Sequence, residues 1–536
     1  MQGIELALTL VLGVAVVATL ARRAGLPAPI VLVVAGLAVG LIPGIPHYRL
    51  DPEVVLALFL PPLLHQAALN SSLRDFKANR RPIGLLSVGL VLFSTVAVGL
   101  VAHWAIPSMP LAAAFALGAI VAPPDAVAAV AIGRRLSLPA RLVTILEGES
   151  LVNDATALVA YRVAVAAVVT GTFSLADVGV RFMAASVGGV AAGLAAGWVV
   201  IWARRRLADD PLAENTIALL APFAAYLPAE AVGASGVLAV VVAGLYLNRF
   251  YDGPRGFDAV DSGARLQVQA VWRMIVYLLE GVIFALIGLQ LPTVLEGPGS
   301  RSIAALLLDA AVVSAAVIVA RIVWVFPATY LPRLLSRRIR AADPFPPWQY
   351  PAVIAWTGMR GVVSLAAALA LPYTAAGGAP FPERDTIQFV AFCVILVTLV
   401  LQGLSLPAVI RWLGVGGQRG PDGREEATAR QRTAEVALAR LDELVTQAAV
   451  PEAVERKLRR RLEERQRWAA KRLDGDGQVA TRVQAVHASY NQVRRELLRV
   501  ERAEAVRLME DGLIGSDTLH RFQRELDLEE SQLGKD

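Results

Sequence analysis

The chain has 536 residues, of which 56% are hydrophobic and 18% charged, and its mean hydropathy is +0.56. A soluble domain is about 45–50% apolar and about 25% charged, so this composition argues against a soluble enzyme. Residues 419–536 hold 23 basic and 23 acidic side chains, so the formal net charge of +6 belongs entirely to the first 418 residues. The excess cations lie in short loops between apolar runs, which is typical of a membrane protein and not of a nucleic-acid-binding protein. The single cysteine, Cys393, excludes an intrachain disulfide and a cysteine-built metal site.

Thirteen apolar runs satisfy the length requirement for a membrane-spanning helix, which is about 20 mostly apolar residues. The sequence therefore predicts an all-α polytopic membrane protein, with 13 transmembrane helices in residues 1–412 and a cytoplasmic helical regulatory tail in residues 413–536. The predicted spans are approximately 4–21, 27–46, 53–70, 83–107, 110–132, 142–170, 178–203, 214–228, 231–248, 274–293, 302–327, 348–373 and 385–411.

The basic residues of the loops predict the orientation. Alternate loops hold 20 Lys and Arg residues in one set and only three, Arg49, Arg301 and Arg384, in the other. Because cytoplasmic loops carry the excess of basic residues, the first set is predicted to be cytoplasmic. With 13 spans, the N-terminus is then outside and the tail is inside. The location expected for such a protein is the inner (plasma) membrane.

The tail has the composition of soluble amphipathic helices. From about Glu425 it is rich in Ala, Leu, Glu and Arg, with apolar residues at helical spacing. Three or four helices are expected, with breaks near Pro451, at 474–477 and near 512–515.

The sixth span carries two stripes of polar residues. At 100° per residue, Glu147, Ser150 and Asp154 fall on one stripe, whereas Glu149 and Asn153 lie on a neighbouring one. Charges near mid-bilayer cost at least ~2.5 kcal/mol each and usually mark an ion path or a structural pair. Asp154 has hydroxyl and amide oxygens beside it, as a hard monovalent cation requires. We therefore expect Asp154 to hold a mobile ion and Glu149 to hold a fixed partner, for which Arg360 is the candidate.

Two spans contain breaks that suit an ion site. Two prolines precede Asp125 in the fifth span, and glycines flank Arg360 in the twelfth. These spans are seven apart, as expected for inverted repeats whose discontinuous helices cross at the midplane. Asp125 and the freed carbonyl of Pro124 are therefore expected to face a cation, and Arg360 to offset the helix dipole ends. For Glu280, Arg321 and Arg162, structural pairing or snorkelling is the expectation.

Four sequence strings carry a family resemblance. They are Leu-Glu-Gly-Glu-Ser-Leu-Val-Asn-Asp-Ala-Thr-Ala at 146–157, Pro-Pro-Asp-Ala-Val-Ala at 123–128, Gly-Met-Arg-Gly-Val-Val-Ser-Leu-Ala at 358–366 and Leu-Pro-Pro-Leu-Leu at 60–64. In these strings the chain resembles the monovalent cation:proton antiporter-1 family, the sodium/proton exchangers of NhaP and NHE type. The resemblance covers roughly residues 1–412.

The resemblance implies a dimeric, inverted-repeat fold in which a core domain carries the site past a dimerisation domain. It implies that Asp154 alternately binds a cation and a proton, and that Asn153, Asp125 and Ser150 support it. It further implies that Glu149 and Arg360 form the ion pair of the core. The Asn-Asp pair at 153–154, where electrogenic relatives have Asp-Asp, implies electroneutral one-for-one exchange without a bound cofactor. The cation ligands would be Asp154, Asp125 and Ser150.

The sequence departs from the family pattern at two places. His65-Gln66 follows the Leu-Pro-Pro-Leu-Leu string where relatives commonly have an acidic residue, and Pro124 stands where many members have Thr. Both changes remove a side-chain ligand, so sodium, lithium and potassium stay open as the cation. A cation channel and a membrane-anchored regulator with a vestigial site are the alternatives. A primary pump is disfavoured because the chain has no Walker-type phosphate loop.

Overall fold

The computed structural model describes residues 2–24, 26, 28–42, 52–171, 175–207, 211–251, 262–289, 302–375, 378–416, 422–447, 450–473, 477–511, 513 and 516–532. The chain divides into two compact units, Met1–Gln418 and Arg419–Asp536. The described part is built of helices, with one isolated bridge between Thr374 and Pro380.

In the first unit, each predicted span coincides with a helix or with a broken pair of helices. The helices of its first half are α1 (Gln2–Arg23), α2 (Ala28–Gly40), α3 (Pro52–Asn70), α4 (Leu73–Ala78), α5 (Arg80–Ala105), α6 (Leu111–Val121), α7 (Ala126–Arg135) and α8 (Ala140–Thr170). Those of its second half are α9 (Leu175–Leu207), α10 (Pro211–Ala231), α11 (Gly236–Tyr251), α12 (Ser262–Leu289), α13 (Ile303–Leu335), α14 (Arg337–Ala342), α15 (Gln349–Trp356), α16 (Val362–Leu369) and α17 (Arg384–Trp412).

Among the described helices, six contain a stretch long and apolar enough to cross a bilayer, namely α5, α8, α9, α12, α13 and α17. Three shorter apolar helices lie in α2, α6 and α11. The first unit is therefore a multi-pass membrane protein. The number of 13 spans and the inverted repeat stay predictions.

The helices of the first unit pack mainly within two sets. In the core set, α6 packs on α5 and α8, and α13 packs on α5 and α17. In the scaffold set, α12 packs on α1 and α2, and α11 packs on α3, α9 and α10. The broken helices α6–α7 and α15–α16 belong to the core set. Contacts between the sets are fewer, and α3, α12 and α16 take part in them.

A shared carboxylate ties three helices of the core set together. Asp343, directly after α14, pairs with Arg81 of α5 at 2.6 Å, with Arg141 of α8 at 2.8 Å and with Arg333 of α13 at 2.6 Å. Asn79 accepts a further hydrogen bond from Arg141 at 3.1 Å. Because one carboxylate forms ion pairs with arginines from three helices, it fixes the ends of these helices relative to one another.

The described residues of the second unit form four helices; of the predicted breaks, Pro451 lies between two of them, whereas most of 474–477 and 512–515 lies outside the described residues. The helices are α18 (Asp422–Thr446), α19 (Glu452–Leu473), α20 (Gly477–Glu510) and α21 (Ser516–Gln532). α18 packs on α19, and α20 packs on α21. Ion pairs cross both contacts, from Arg459 to Asp442 at 2.5 Å and from Arg502 to Asp527 at 2.5 Å.

Candidate functional site

The two predicted helix breaks are present, and they touch each other. The first lies between α6 and α7, where Pro123 and Pro124 supply no backbone N–H to continue a helix. The second lies between α15 and α16. The N–H of Asp125 donates to the carbonyl of Met359 at 2.6 Å, which joins the two breaks directly. Backbone N–H and carbonyl groups that would be hydrogen-bonded within a continuous helix can thus bind groups of the other break inside the protein.

Asp125 begins α7 and lies against the second break. Its Oδ1 accepts a hydrogen bond from the N–H of Val127 at 2.9 Å, so the carboxylate caps the helix N-terminus. A Cβ atom at Gly361 would overlap this carboxylate. The absence of a side chain at position 361 therefore permits the close crossing.

Arg360 caps the end of the first half-helix. Its guanidinium donates to the carbonyl of Val121 at 2.9 Å, to that of Ala122 at 3.5 Å and to that of Gly358. Its own N–H donates to Oγ1 of Thr398 at 3.1 Å. The last carbonyls of α6 have no partner within the helix and carry its negative dipole end. A buried arginine at this point offsets that charge, as the sequence predicts.

The expected ion pair between Glu149 and Arg360 is replaced by a different one. Glu149 binds Arg321 of α13 through two parallel hydrogen bonds of 2.6 and 2.9 Å, and both residues are at most 1% exposed. The Nε of Arg321 also donates to the carbonyl of Ile354 at 3.0 Å, near the end of α15. The prediction was wrong about the partner, because Arg360 is already engaged by the carbonyls of α6. The expected structural pairing of Arg321 is confirmed.

A cavity of about 410 Å³ lies beside the crossing. Its volume accommodates on the order of ten water molecules at about 30 Å³ each. Three residues of the polar stripe on α8, Glu147, Ser150 and Asp154, line it together with Asp125 and with the predicted ligand residue Pro124. The structure therefore brings the predicted stripe and the first break to one wall.

Asp154 is 8% exposed and faces the cavity. Its carboxylate has no hydrogen bond or ion pair with any residue that the structure describes. A buried carboxylate without a protein partner is costly in its charged form, so it requires a proton or a cation. Asp154 is thus the group in this cavity most suited to exchange one for the other.

Asn153 lies behind this wall and does not itself line the cavity. Its Nδ2 donates to the carbonyl of Pro124 at 2.6 Å, so it uses one of the carbonyl lone pairs that the sequence assigns to a cation. The other lone pair of Pro124 stays available. Asn153 therefore fixes the first break against α8, and its own Oδ1 is buried without a hydrogen-bond partner among the described residues. The oxygens that line the cavity itself are those of Asp125, Ser150, Asp154 and Pro124.

The described lining of the cavity lies along the first half of α8. Exposed residues line it near the starts of the basic loops, among them Asn70 and Arg134, and Arg134 pairs with Glu147 at 2.5 Å. Past Asp154, no described residue of α8 lines the cavity. Towards the other end of that helix, Arg162 pairs with Glu230 of the scaffold helix α10 at 2.7 Å. This ion pair links the two helix sets beyond Asp154.

Within the described residues, no group of three or more His, Cys, Asp or Glu side chains is arranged to hold a metal ion. A multivalent resident metal would need several such ligands. The oxygens that line the cavity are carboxylate, hydroxyl and carbonyl oxygens, which are the ligands of hard cations.

Two charged residues of the site were assigned only a general structural role from sequence. Arg321 is the partner of Glu149, and the signal for it was an arginine in the middle of an apolar helix. Glu280 of α12 lines the cavity, and it has no hydrogen bond or ion pair with a described residue. The pairing expected for Glu280 is therefore absent from the described part of the chain.

Discontinuous helices that cross beside a buried carboxylate and a cavity are typical of a secondary transporter. The family model of the transmembrane sodium/hydrogen exchangers matches residues 9–412. The chain belongs to this family of monovalent cation:proton antiporters, which are transporters and not enzymes.

Curated relatives and a solved structure agree with this assignment. An uncharacterized Na⁺/H⁺ exchanger of Mycobacterium tuberculosis is 37% identical over 99% of this chain and 96% of its own length. A sodium, potassium, lithium and rubidium/H⁺ antiporter of Bacillus pumilus is 35% identical over 71% of this chain and 57% of its own length. The sodium proton antiporter of Methanocaldococcus jannaschii matches the fold with a TM-score of 0.59 at 19% identity, over 78% of this chain and 99% of that one.

Proposed function

We propose that the protein is a secondary antiporter that exchanges a monovalent cation, Na⁺ first of all, for H⁺ across the membrane. The observation that carries this proposal is the carboxylate of Asp154, which is buried, faces a cavity and lacks a protein partner. Such a group is neutralised equally well by one proton or by one monovalent cation. The two substrates therefore compete for a single position, and competition couples their fluxes.

The same arrangement supports electroneutral one-for-one exchange. A carboxylate that carries one cation in one direction and one proton in the other moves no net charge per cycle. Asp125, Ser150 and the carbonyl of Pro124 would supply further oxygens to a cation at Asp154. Asn153 would position the Pro124 carbonyl through its hydrogen bond of 2.6 Å. Glu149 would act structurally, with Arg321 as its partner and Arg360 as a separate helix cap.

The proposed transport cycle is alternating access. The cavity opens beside Arg134 and Asn70, which adjoin the loops predicted to be cytoplasmic. Asp154 lies seven residues from Glu147 and eight from Arg162 along α8, or about 10 Å and about 12 Å at 1.5 Å per residue. The described lining extends from Asp154 towards the Arg134 end of α8, and the Arg162–Glu230 ion pair lies beyond Asp154 in the other direction. We take this arrangement to be the inward-facing state.

The proposed setting follows from the sequence. Residues 1–412 form the transport domain in the inner (plasma) membrane, with the N-terminus outside, and the cytoplasmic tail of residues 413–536 regulates it. The family resemblance supports a homodimer. The cation is open among Na⁺, Li⁺ and K⁺, since one relative is named for the transport of all three.

Proton efflux from acid-loaded proteoliposomes tests the proposal. Na⁺, Li⁺ or K⁺ is added outside, with and without valinomycin and K⁺ on both sides of the membrane to clamp the membrane potential. Wild type is compared with Asp154→Asn, and with Asp385→Asn as a matched control in an exposed position. We expect cation-dependent alkalinisation that persists under the clamp, vanishes in Asp154→Asn and is retained in Asp385→Asn.

Other outcomes would support the rival functions. Cation flux without linked proton movement would indicate a channel, which needs no proton-coupled carboxylate. Absence of flux for all three cations in well-folded wild type would favour a membrane-anchored regulator. Normal exchange in Asp154→Asn would contradict the role given to this residue.

A further inference from the structure

Glu280 of α12 lines the same cavity as Asp154 of α8. Its helix, α12, packs chiefly on α1 and α2 of the scaffold set, whereas α8 packs chiefly on α6 of the core set. The cavity is therefore lined by carboxylates from both sets of helices. Glu280 is the carboxylate that the scaffold set contributes to this lining.

The partners of the four lining carboxylates separate them into two kinds. Glu147 is paired with Arg134, and Asp125 accepts a helix N–H. Asp154 and Glu280 have no hydrogen bond or ion pair among the residues that the structure describes. Asp154 is more than nine-tenths buried and faces the same space. Two carboxylates that line one cavity, neither with a described partner, create a position that favours a mobile cation.

We propose that Glu280 is a specificity-determining residue that attracts the monovalent cation from the cavity and sets the affinity with which it reaches Asp154. The inference rests on the proposed antiport function. In this role Glu280 binds the cation together with water, and Asp154 alone exchanges cation for proton. Glu280 therefore controls the cation concentration needed for transport and not the stoichiometry.

The geometry also makes this contribution dependent on conformation. Glu280 and Asp154 belong to different helix sets, so a movement of the core set against the scaffold set changes their separation. The attraction by Glu280 then acts when both carboxylates line one cavity, as they do in this structure. Removing one negative charge on the order of 10 Å from a cation, at an effective dielectric constant of about 20, changes cation occupancy by about tenfold.

The test measures proton efflux from proteoliposomes containing the full-length protein as a function of Na⁺ concentration, and repeats it with Li⁺ and K⁺. The variants are Glu280→Gln, which removes the charge at constant size, and Glu280→Asp, which keeps it. Glu383→Gln is the matched control, because Glu383 lies outside the cavity lining. We expect the half-saturating Na⁺ concentration to rise about tenfold in Glu280→Gln, and less than threefold in Glu280→Asp and Glu383→Gln. Maximal rates change less than threefold.

A binding measurement guards against a folding defect. Na⁺ that binds the folded protein raises its melting temperature, so the Na⁺ concentration that gives half of this rise should also increase about tenfold in Glu280→Gln. Unchanged half-saturation in both assays would overturn the proposal, as would loss of transport at all Na⁺ concentrations in both Glu280 variants. If wild type itself shows no cation-linked proton movement, the antiport function fails first.

Discussion

Replacing Arg321 by Met is expected to destabilise the membrane unit strongly, because it leaves Glu149 as a buried charge without a partner. Removing one member of a buried ion pair costs about 3–5 kcal/mol, against a total stability of about 5–15 kcal/mol for a typical protein. The bidentate geometry, with hydrogen bonds of 2.6 and 2.9 Å, places this pair at the upper part of that range. At about 2 °C per kcal/mol, as for domains of about 250 residues, a cost of about 4–5 kcal/mol should lower the melting temperature by about 8–10 °C.

The assay is thermal unfolding of the purified full-length protein in detergent, followed by tryptophan fluorescence. The double variant Glu149→Leu/Arg321→Met should recover most of the loss, since an apolar pair of similar volume is often as stable as a buried ion pair. The resulting coupling energy between Glu149 and Arg321 should be at least about 2 kcal/mol.

A second cycle with Arg360→Met provides the comparison. Its coupling to Glu149 should be below about 1 kcal/mol, because Arg360 donates to helix carbonyls and not to this carboxylate. Strong coupling of Glu149 to Arg360, together with none to Arg321, would refute the pairing seen in the structure and restore the pairing predicted from sequence.

Two further predictions concern transport. Gly361→Ala should lower the exchange rate at least about tenfold, because the added methyl overlaps the Asp125 carboxylate. Gly84→Ala is the control, because its methyl meets open space and should leave the exchange rate unchanged. Equal exchange rates in the two variants would argue against the close crossing of the helix breaks. Arg162→Gln removes the ion pair with Glu230 and should weaken the contact between the two helix sets there by about 0.5–1 kcal/mol, the value of a partly exposed ion pair. Ser150→Cys should then react about two to five times faster with an impermeant thiol reagent added outside, in a Cys393→Ser background.

Much of the fold follows from hydropathy and from proline. Apolar runs of sufficient length became helices, and the break before Asp125 follows from two residues that cannot donate a backbone hydrogen bond. The stripe of Glu147, Ser150 and Asp154 follows from helical periodicity alone. These features are local, so the sequence contains what is needed to predict them.

Partners across helices could not be predicted in the same way. Periodicity indicates which face of α8 Glu149 occupies, but not whether Arg321 or Arg360 lies opposite. That choice depends on the packing of α13 and α15, and on the free carbonyls of α6 that engage Arg360. Glu280 shows the same limit, because the contacts of α12 decide whether its carboxylate is paired or faces a cavity.

The three arginines around Asp343 have a consequence for the synthesis of the chain. Asp343 follows Arg81 by 262 residues and Arg141 by 202. At about 5–20 residues per second, Arg81 is made about 13–50 s before the carboxylate that will neutralise it. In the orientation proposed above, the early arginines would serve during this interval as topogenic signals that retain their loops in the cytoplasm. The same side chains would thus first direct insertion and later, once translation has supplied Asp343, hold the inserted helices together.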